Sequence, residues 1–402
     1  VWIQEELAGA DPSTDPMSIA FSVFDAEGVL VAGPAELAQI GNGKNYYRVQ
    51  QVAYNSTDDE FLVAWSNESD NFMQRVSSTG DLLSSQVVLS RSVTGPEDRS
   101  TEIFQVGSAF PLQVAWDASR EEYFITAWDY IHRPFGVLTG ASVVGNFYSS
   151  DLSPVDGFDA LFLISDSVYP ASLRAQGMSI ALSDAGVWAI SYPSDVDRLD
   201  SSTTSKIVRL LDRSDGAITG MVTVVALGAS SGLDVPTEVF KGFPQVVWVD
   251  SKNAFLVTWN AKYSIGVVSD ATPGLWQTYG RYIGITDRTP GKTVRLSYIP
   301  SQYSDVGGVI DTPVLNNVRP EYDVAGDTLI FTGHAQHKIA SGDSVIRTYF
   351  WTMNPDTKEV SGTTPLYQVP SGSTLAGESA RPAVDSAYGL TAIAYNNWPN
   401  GN

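Results

Sequence analysis

An apolar element that ends in an aromatic residue recurs along this chain of 402 residues. The stretch "YNSTDDEFLVAW" (54–65) returns as "WDASREEYFITAW" (116–128) and as "WVDSKNAFLVTW" (248–259). Weaker copies end at Tyr192 and Tyr395, and a degenerate copy ends at Gly333. We call the last residue of each copy the anchor. Successive anchors lie about 62 to 74 residues apart, and such a period indicates an array of similar structural units.

Each unit divides into four short strands. The segments "YRVQQVAY" (47–54) and "FPQVVW" (243–248) have the alternation and β-branched content of a first strand, and a polar turn leads from it into the anchor strand. Turn residues then separate apolar stretches in "FDAEGVL" (24–30), "VSSTGDLL" (76–83), "LDRSDGAI" (211–218), "MNPDTKEV" (353–360) and "ITDRTPGKTV" (285–294). Because Asp, Asn and Gly favour tight turns, we predict a third and a fourth strand around each. Only the second unit lacks a clear turn of this kind.

The repeat predicts an all-β chain that folds as a single β-propeller domain, with six four-stranded blades over residues 1–402. The last unit stops after two strands, and the chain begins with two more, "MSIAFSVF" and "GVLVAGP". We therefore expect the N- and C-terminal strands to share one blade, which would leave no open sheet edge. Val1-Trp2 resembles a further anchor, so a seventh, incomplete blade is the alternative. The predicted blades cover approximately residues 47–110, 111–172, 173–240, 241–317, 318–378, and 379–402 together with 1–46.

The charge of the chain argues against a nucleic-acid partner. The formal net charge is -21, with 24 basic residues against 45 acidic ones, whereas phosphate binding needs a Lys- and Arg-rich surface. There is no cysteine, so stability must come from the core and from any oxygen-ligated cation, for which calcium is the candidate. No apolar run approaches the 18 residues of a membrane span, so none is expected.

The units resemble the "YN-x-x-x-x-FLVxW" blades of bacterial secreted or surface β-propellers, and the resemblance covers nearly the whole chain. It implies a propeller and an extracellular or cell-surface location, but it specifies no activity. The chain begins at Val1 without Met, and we therefore expect a processed product or one piece of a larger chain or assembly.

The loops that follow the anchors are the expected site of function, because loops vary while strands stay constrained. Aromatic rings beside His and Arg suit a sugar, since the rings stack on it and the polar groups bind its hydroxyls. The predicted ligand-binding residues are Tyr130, His132, Arg133, Tyr263, His334, His337 and Trp398. In "DVDRLD", Asp195, Asp197 and Asp200 are a weaker candidate for calcium, because the glycine and the terminal Glu of an EF-hand loop are absent.

These residues leave three functions open. The favoured hypothesis is an extracellular, non-catalytic propeller that binds a glycan or a surface protein through the loops on one face. The first alternative is a polysaccharide lyase or a glycoside hydrolase. In a lyase, His or Tyr would abstract a proton while Arg neutralises a uronate carboxylate. The second alternative is a structural module of a larger adhesin or filament.

Overall fold

The three-dimensional structure is a computed structural model. It describes residues 2–5, 16–25, 29–42, 51–66, 71–89, 93–94, 103–106, 112–133, 137–156, 161–165, 178–194, 205–213, 217–218, 222–225, 236, 238–239, 244–263, 276–297, 314–338, 344–361, 364–368, 381–385 and 390–394. The chain divides into two compact units, Val1–Gln176 (unit 1) and Gly177–Asn402 (unit 2).

Unit 1 contains three sheets. The first is formed by β1 (Trp2–Glu5), β2 (Pro16–Phe24) and β3 (Leu30–Asn42), and the second by β4 (Gln51–Asn55), β5 (Glu60–Ser66), β6 (Asn71–Ser77) and β7 (Val87–Val88). The third contains β8 (Val93–Thr94), β9 (Ile103–Val106), β10 (Gln113–Asp117), β11 (Glu122–Arg133), β12 (Val137–Ser149) and β13 (Leu161–Leu163). Within the described residues the sheets are antiparallel, except that β8 and β13 pair in parallel.

Unit 2 contains four sheets. The first is formed by β14 (Ser179–Leu182), β15 (Val187–Ser194), β16 (Ser205–Asp212), β17 (Ala217–Ile218) and β18 (Val222–Val225). The second contains β19 (Glu238–Val239), β20 (Gln245–Val249), β21 (Ala254–Lys262), β22 (Gln277–Gly284) and β23 (Val294–Arg295), with a 3-10 turn at Asp250–Lys252. The third contains β24 (Val314–Asp323), β25 (Thr328–Lys338), β26 (Ser344–Met353) and β27 (Thr364–Gln368), and the fourth pairs β28 (Arg381–Asp385) with β29 (Leu390–Ala394).

The sheets follow one another as propeller blades do. In unit 1, β4 lies beside β10, and in unit 2 the first strands β14, β20, β24 and β28 lie side by side in chain order. Each of these strands pairs with the anchor strand of its own sheet. The predicted all-β class and the blade-like sheets are therefore confirmed within each unit. Among the described residues, no helix is long and apolar enough to cross a membrane.

The anchors pack between neighbouring sheets. Trp65, Tyr192 and Trp259 are all buried. In unit 2, Trp259 belongs to one apolar cluster with Val208 and Val224 of the preceding sheet, so the aromatic ring fills the space where two sheets meet. This packing accounts for the recurrence of the anchor in the sequence.

The turn between the first two strands uses one backbone conformation in five sheets. The residue just before the second strand has a positive φ in each of them: Asp59, Glu121, Gly186, Asn253 and Asp327. The turn that the sequence did not reveal, in the second predicted blade, lies after β12. There Leu152 has a φ of 69°, and the chain returns so that Pro154 faces Tyr148. Leucine rarely adopts this conformation, which is why the turn had no recognisable sequence.

An ion pair lies within the second sheet of unit 1, and a tyrosine of the third sheet contacts it. The guanidinium of Arg75 donates to both carboxylate oxygens of Glu60, at 2.8 and 2.6 Å, and Glu60 is 1% exposed. The Tyr123 hydroxyl of the neighbouring sheet donates to the same carboxylate at 3.3 Å, and burial raises the pKa of that hydroxyl, with a further contribution from the Glu60 charge. Asn55 is buried as well, and its amide nitrogen donates to Asp58 at 3.1 Å and to Glu60 at 3.4 Å.

The shared terminal blade is not confirmed. Within the described residues, β1 pairs with one edge of β2 and β3 with the other, while β28 and β29 pair with each other. The N-terminal segment thus supplies three strands, where the sequence predicted two. The number of blades and the closure of the propeller stay predictions.

Candidate functional site

Five of the first strands begin with a polar residue, and β24, which begins at Val314, has its equivalent polar residue further along the strand. Five of the six polar residues lie directly opposite the residue that precedes the anchor of their own sheet, and Gln113 lies opposite Thr126, two residues before the anchor Trp128. We call these first-strand sites the rim positions. They are occupied by Gln51, Gln113, Ser179, Gln245, Arg319 and Arg381. Because paired strands run antiparallel, the start of each first strand and the end of each anchor strand lie at the same end of the sheet. The loops that follow the anchors, which are the predicted site of function, begin at this same end.

Side chains link three rim positions of unit 2. Arg319 donates to the side-chain oxygen of Gln245, and Gln245 in turn donates to the carbonyl oxygen of Pro244 at 3.1 Å. The hydroxyl of Ser191 donates to the same carbonyl at 3.3 Å, and the backbone N–H of Val246 donates to Ser179 at 3.2 Å. The contacts hold the Arg319 guanidinium against the neighbouring first strand, so one cation has a fixed place at the rim.

A carboxyl group lies two residues beyond the rim position of β24. The equivalent residue is small and apolar in the other first strands that the repeat aligns: Ala53, Ala115, Ala181, Val247 and Ala383. In β24 it is Glu321, which pairs with Ile330 of the anchor strand and is only partly exposed. A glutamate therefore occupies a position that the fold elsewhere fills with Ala or Val.

Burial raises the pKa of Glu321 to about 7. Removal from water disfavours the ionised carboxylate, and this is the cause of the shift. Arg319 lies two residues away on the same strand, but it hydrogen-bonds to Gln245. A carboxyl group with a pKa near neutrality can both donate and accept a proton under physiological conditions, which is the property of a general acid or base.

Two anchor strands continue well past their anchors. Strand β11 extends to Arg133 and carries Tyr130 and His132, and β25 extends to Lys338 and carries His334 and His337. All three histidines of the chain therefore lie on these extensions. The sequence placed these residues in loops, whereas they lie on paired strands, a correction that follows from the long hairpins with β12 and β26. Their role in ligand binding stays a prediction.

The other predicted site residues divide into two groups. Tyr263 is described and is buried, with its ring centroid 4.5 Å from that of Tyr279. It has a packing role, and its contact with a ligand stays a prediction. Trp398 and the three proposed calcium ligands lie outside the described residues: Asp195, Asp197 and Asp200. Within the part of the chain that the structure describes, no group of three or more His, Asp or Glu side chains could hold a metal ion.

Sequence reasoning missed Glu321, Arg319 and Gln245. A chain with 45 acidic residues contains many candidate carboxylates, so a glutamate alone carries no signal. The signal lies in the repeat: "RPEYD" in β24 aligns with "RPAVD" in β28. A strand-by-strand alignment of the first strands would have identified Glu321 as a departure from the pattern.

No protein-family model matches the sequence, and no curated protein does. Among solved structures, the chain is similar to the Dos1 propeller, with 12% identity, 94% of this chain and 70% of that chain covered, and a TM-score of 0.41. It is similar to the α-L-arabinofuranosidase of Fusarium graminearum, with 11% identity, 85% and 86% covered, and a TM-score of 0.44. It is also similar to B. megaterium levansucrase, with 11% identity, 92% and 93% covered, and a TM-score of 0.40.

These comparisons correct the leading functional prediction. The sequence favoured a non-catalytic binding protein, whereas several of the similar structures bear the names of enzymes that act on carbohydrates, among them arabinanases and arabinofuranosidases. They favour the predicted alternative, a polysaccharide lyase or a glycoside hydrolase, and the expectation that the chain is not an enzyme is contradicted in the same way. Because the identities are 8 to 12% and the TM-scores lie below 0.5, no neighbour's substrate, reaction or residue is assigned to this chain.

Proposed function

We propose that this chain is a carbohydrate-active enzyme, a polysaccharide lyase or a glycoside hydrolase, and that Glu321 is its proton-transfer group. The observation that carries the proposal is the carboxyl of Glu321 on a first strand, at a position where the repeat has Ala or Val. Burial raises its pKa to about 7. A partly buried carboxyl without a function would be replaced at little cost by the small apolar residue that the other sheets have there.

The two reactions use this carboxyl differently. In a hydrolase, protonated Glu321 would give its proton to the oxygen of the departing sugar, and a second carboxylate would activate water or attack the sugar. In a lyase, a base removes a proton next to the uronate carboxylate, and an arginine neutralises that carboxylate. Arg319 lies two residues before Glu321 on β24, and its contact with Gln245 holds its guanidinium in place. Tyr130, His132 and Arg133 of unit 1 stay predictions for ligand binding.

The test is an assay of the intact chain on neutral and uronate-containing polysaccharides. Hydrolysis produces new reducing ends without an unsaturated product, whereas elimination also produces a conjugated double bond that absorbs ultraviolet light. Growth of either signal in proportion to enzyme concentration supports the proposal and separates the two reactions. Absence of both signals on the neutral and the acidic polymers would contradict it.

On a polysaccharide that is cleaved, Glu321→Gln is expected to lower kcat by about 100-fold or more, because a positioned general acid or base contributes roughly 10²–10⁴-fold. The pH dependence near neutrality should disappear with the carboxyl. The matched control is Glu359→Gln, since Glu359 is exposed in the turn after β26. Equal kcat values for Glu321→Gln and the wild type would exclude Glu321 from the reaction.

We further propose an extracellular or cell-surface location, a propeller of six blades with a shared terminal blade, and calcium binding by Asp195, Asp197 and Asp200. The resemblance of the units to the blades of bacterial secreted or surface β-propellers supports the extracellular or cell-surface location. The regular anchor period supports the second. Three carboxylates within six residues support the third. Isothermal titration with calcium of the wild type and of Asp197→Asn tests the last proposal, and identical heats for the two proteins would contradict it.

A further inference from the structure

Two apolar side chains of β4 are exposed at positions that are covered in other first strands. Val52 is 44% and Tyr54 48% exposed. The equivalent residues of β10, β20 and β24 are buried or partly buried: Val114 and Trp116, Val246 and Trp248, and Pro320 and Tyr322. Since the repeat covers these two positions elsewhere, β4 lacks a neighbour that these strands have, within the part of the chain that the structure describes.

The covering neighbour is the first strand of the preceding sheet. Strand β4 lies beside β10, and β20 lies beside β24. Ala53 of β4 shares an apolar cluster with Val114, against which Trp116 also packs, and Val247 of β20 shares a cluster with Tyr322. Both Ala53 and Val247 stand two residues beyond the rim position. A first strand with a small apolar residue at its centre therefore covers the first strand of the next sheet.

The sheet that precedes β4 has no strand in this place among the described residues. Its order is β1-β2-β3, and β1 pairs with β2 alone. Phe21 of β2 lies in one cluster with Val63 and Trp65 of β5, and Val52 lies directly opposite Val63. The first sheet thus covers β5 but not β4, and within these residues one edge of β1 presents backbone N–H and C=O groups without a partner strand.

A strand added to this edge of β1 would lie over Val52 and Tyr54, as β4 lies over β10. Strand β4 is five residues long, roughly 17 Å of extended chain. A segment of this length would gain main-chain hydrogen bonds from β1 and apolar contact from β4. These are the interactions by which an extended peptide adds to the edge of a sheet.

We propose that the edge of β1 and the exposed face of β4 with Val52 and Tyr54 bind an extended segment of a partner protein. The segment carries a small apolar residue at its centre, as β4 does at Ala53, and basic residues at its ends. Asp58 and Asp59 are exposed, and the hydroxyl of Tyr54 donates to Asp59 at 2.8 Å, so acidic groups lie beside the site. The net charge of -21 attracts a basic segment and repels a second copy of the chain.

This proposal does not depend on the proposed enzymatic activity. It does bear on the proposed shared terminal blade, which would complete the same sheet from within the chain. A partner segment competes with that closure, because one edge of β1 accepts one strand. Among the described residues β1 pairs with β2 alone, so its edge is in the state that accepts the segment.

The first test is isothermal titration of the intact chain with the peptide Lys-Lys-Gln-Val-Ala-Tyr-Asn-Lys-Lys, which places the sequence of β4 between lysines. We expect saturable binding. The matched peptide has Glu at its central position, the residue that β24 has there, and should bind about tenfold more weakly, because its carboxylate would be buried against apolar side chains. Equal binding of the two peptides, or binding of neither, would overturn the proposal.

The variant Val52→Asn removes apolar contact from the site and should weaken binding of the first peptide by about tenfold. The matched control is Val88→Asn, since Val88 is similarly exposed, at 49%, on β7 at the other edge of the same sheet. If both variants weakened binding to the same extent, or if neither did, the peptide would bind elsewhere and the assignment of the site would be wrong.

Hydrogen exchange separates the partner segment from other occupants of the site. In the chain alone, the amides on the unpaired edge of β1 should exchange rapidly, and the first peptide should slow them. Slow exchange without peptide at low chain concentration would mean that the chain itself completes the sheet. Protection that appears only as the chain concentration rises would identify a second copy as the occupant. Either result would overturn the proposal.

Discussion

At the scale of the residue, Glu321 makes the stability of the fold depend on pH. Its pKa rises from 4.5 in the unfolded chain to about 7 in the folded chain, so the folded chain holds the proton more tightly. The free energy of unfolding is therefore largest below the unfolded pKa, and this contribution is lost as the pH rises through the folded one. We expect Glu321→Gln to have a higher Tm than the wild type at about pH 8 and a similar Tm at about pH 4.5.

Differential scanning calorimetry across that range measures the effect. The exposed carboxyl of Glu359 provides the control, since Glu359→Gln should follow the wild type at every pH. A Tm difference for Glu321→Gln that is the same at both ends of the range would show that the carboxyl titrates normally.

The Glu60–Arg75 pair is expected to contribute to the free energy of unfolding because it compensates a buried charge. Arg75→Met would leave the buried carboxylate of Glu60 without its partner, which costs about 3–5 kcal/mol of unfolding free energy. The double variant with Glu60→Gln should recover much of this loss, because it no longer buries an unpaired charge. Chemical denaturation measures the free energy of unfolding of the single and the double variant. As a comparison, Lys252 pairs with the exposed side chain of Asp356, so Lys252→Met should cost less than about 1 kcal/mol.

At the scale of the element, the turns before the anchor strands depend on one left-handed residue each. Gly186 has a φ of 76°, a conformation that costs an L-residue roughly 1–2 kcal/mol. We expect Gly186→Ala to be destabilising by about that amount and Gly186→Asn by less, because asparagine tolerates this region better. Urea denaturation gives the order of stability of the wild type and the two variants. An alanine variant as stable as the wild type would contradict the prediction.

Local chemistry explains which elements the sequence could predict. The anchors and most turns were predictable because a buried aromatic such as Trp259 and a turn glycine such as Gly80 act over a few residues. The turn at Leu152 was not, since its left-handed residue is an apolar one. The extension of β11 to Arg133 was not predicted either, because it depends on pairing with β9 and β12, and partners distant in the chain leave no local pattern.

The candidate site was predictable only in part. The order of the strands predicts the end of the sheets at which the site lies, and residues such as His132 and His334 do lie at that end. The properties that single out Glu321 and Arg319 are burial and a contact with the neighbouring strand, and these depend on how sheets pack against each other. Tyr263 shows the reverse case, because an aromatic next to a loop looks exposed in the sequence and is buried in the structure.

At the scale of the whole molecule, the charge of -21 should make stability depend on ionic strength. Like charges repel over about 30 Å at 0.01 M salt and over only about 3 Å at 1 M, so screening favours the compact state. We expect the Tm to rise with the concentration of potassium gluconate as well as of potassium chloride. A Tm that falls or stays constant in gluconate would mean that repulsion does not limit stability.

Asn55 has a practical consequence for making this protein. It stands in an Asn-Ser-Thr sequence, which is an acceptor for N-linked oligosaccharide, yet its amide nitrogen is buried and donates to Asp58 and Glu60. Eukaryotic secretory cells attach the oligosaccharide while the chain is being made, so a modified Asn55 could no longer fit into the sheet. Thr57→Ala would remove this acceptor sequence and retain the backbone N–H that donates to Asn55, so Asn55 would stay unmodified in yeast or mammalian cells.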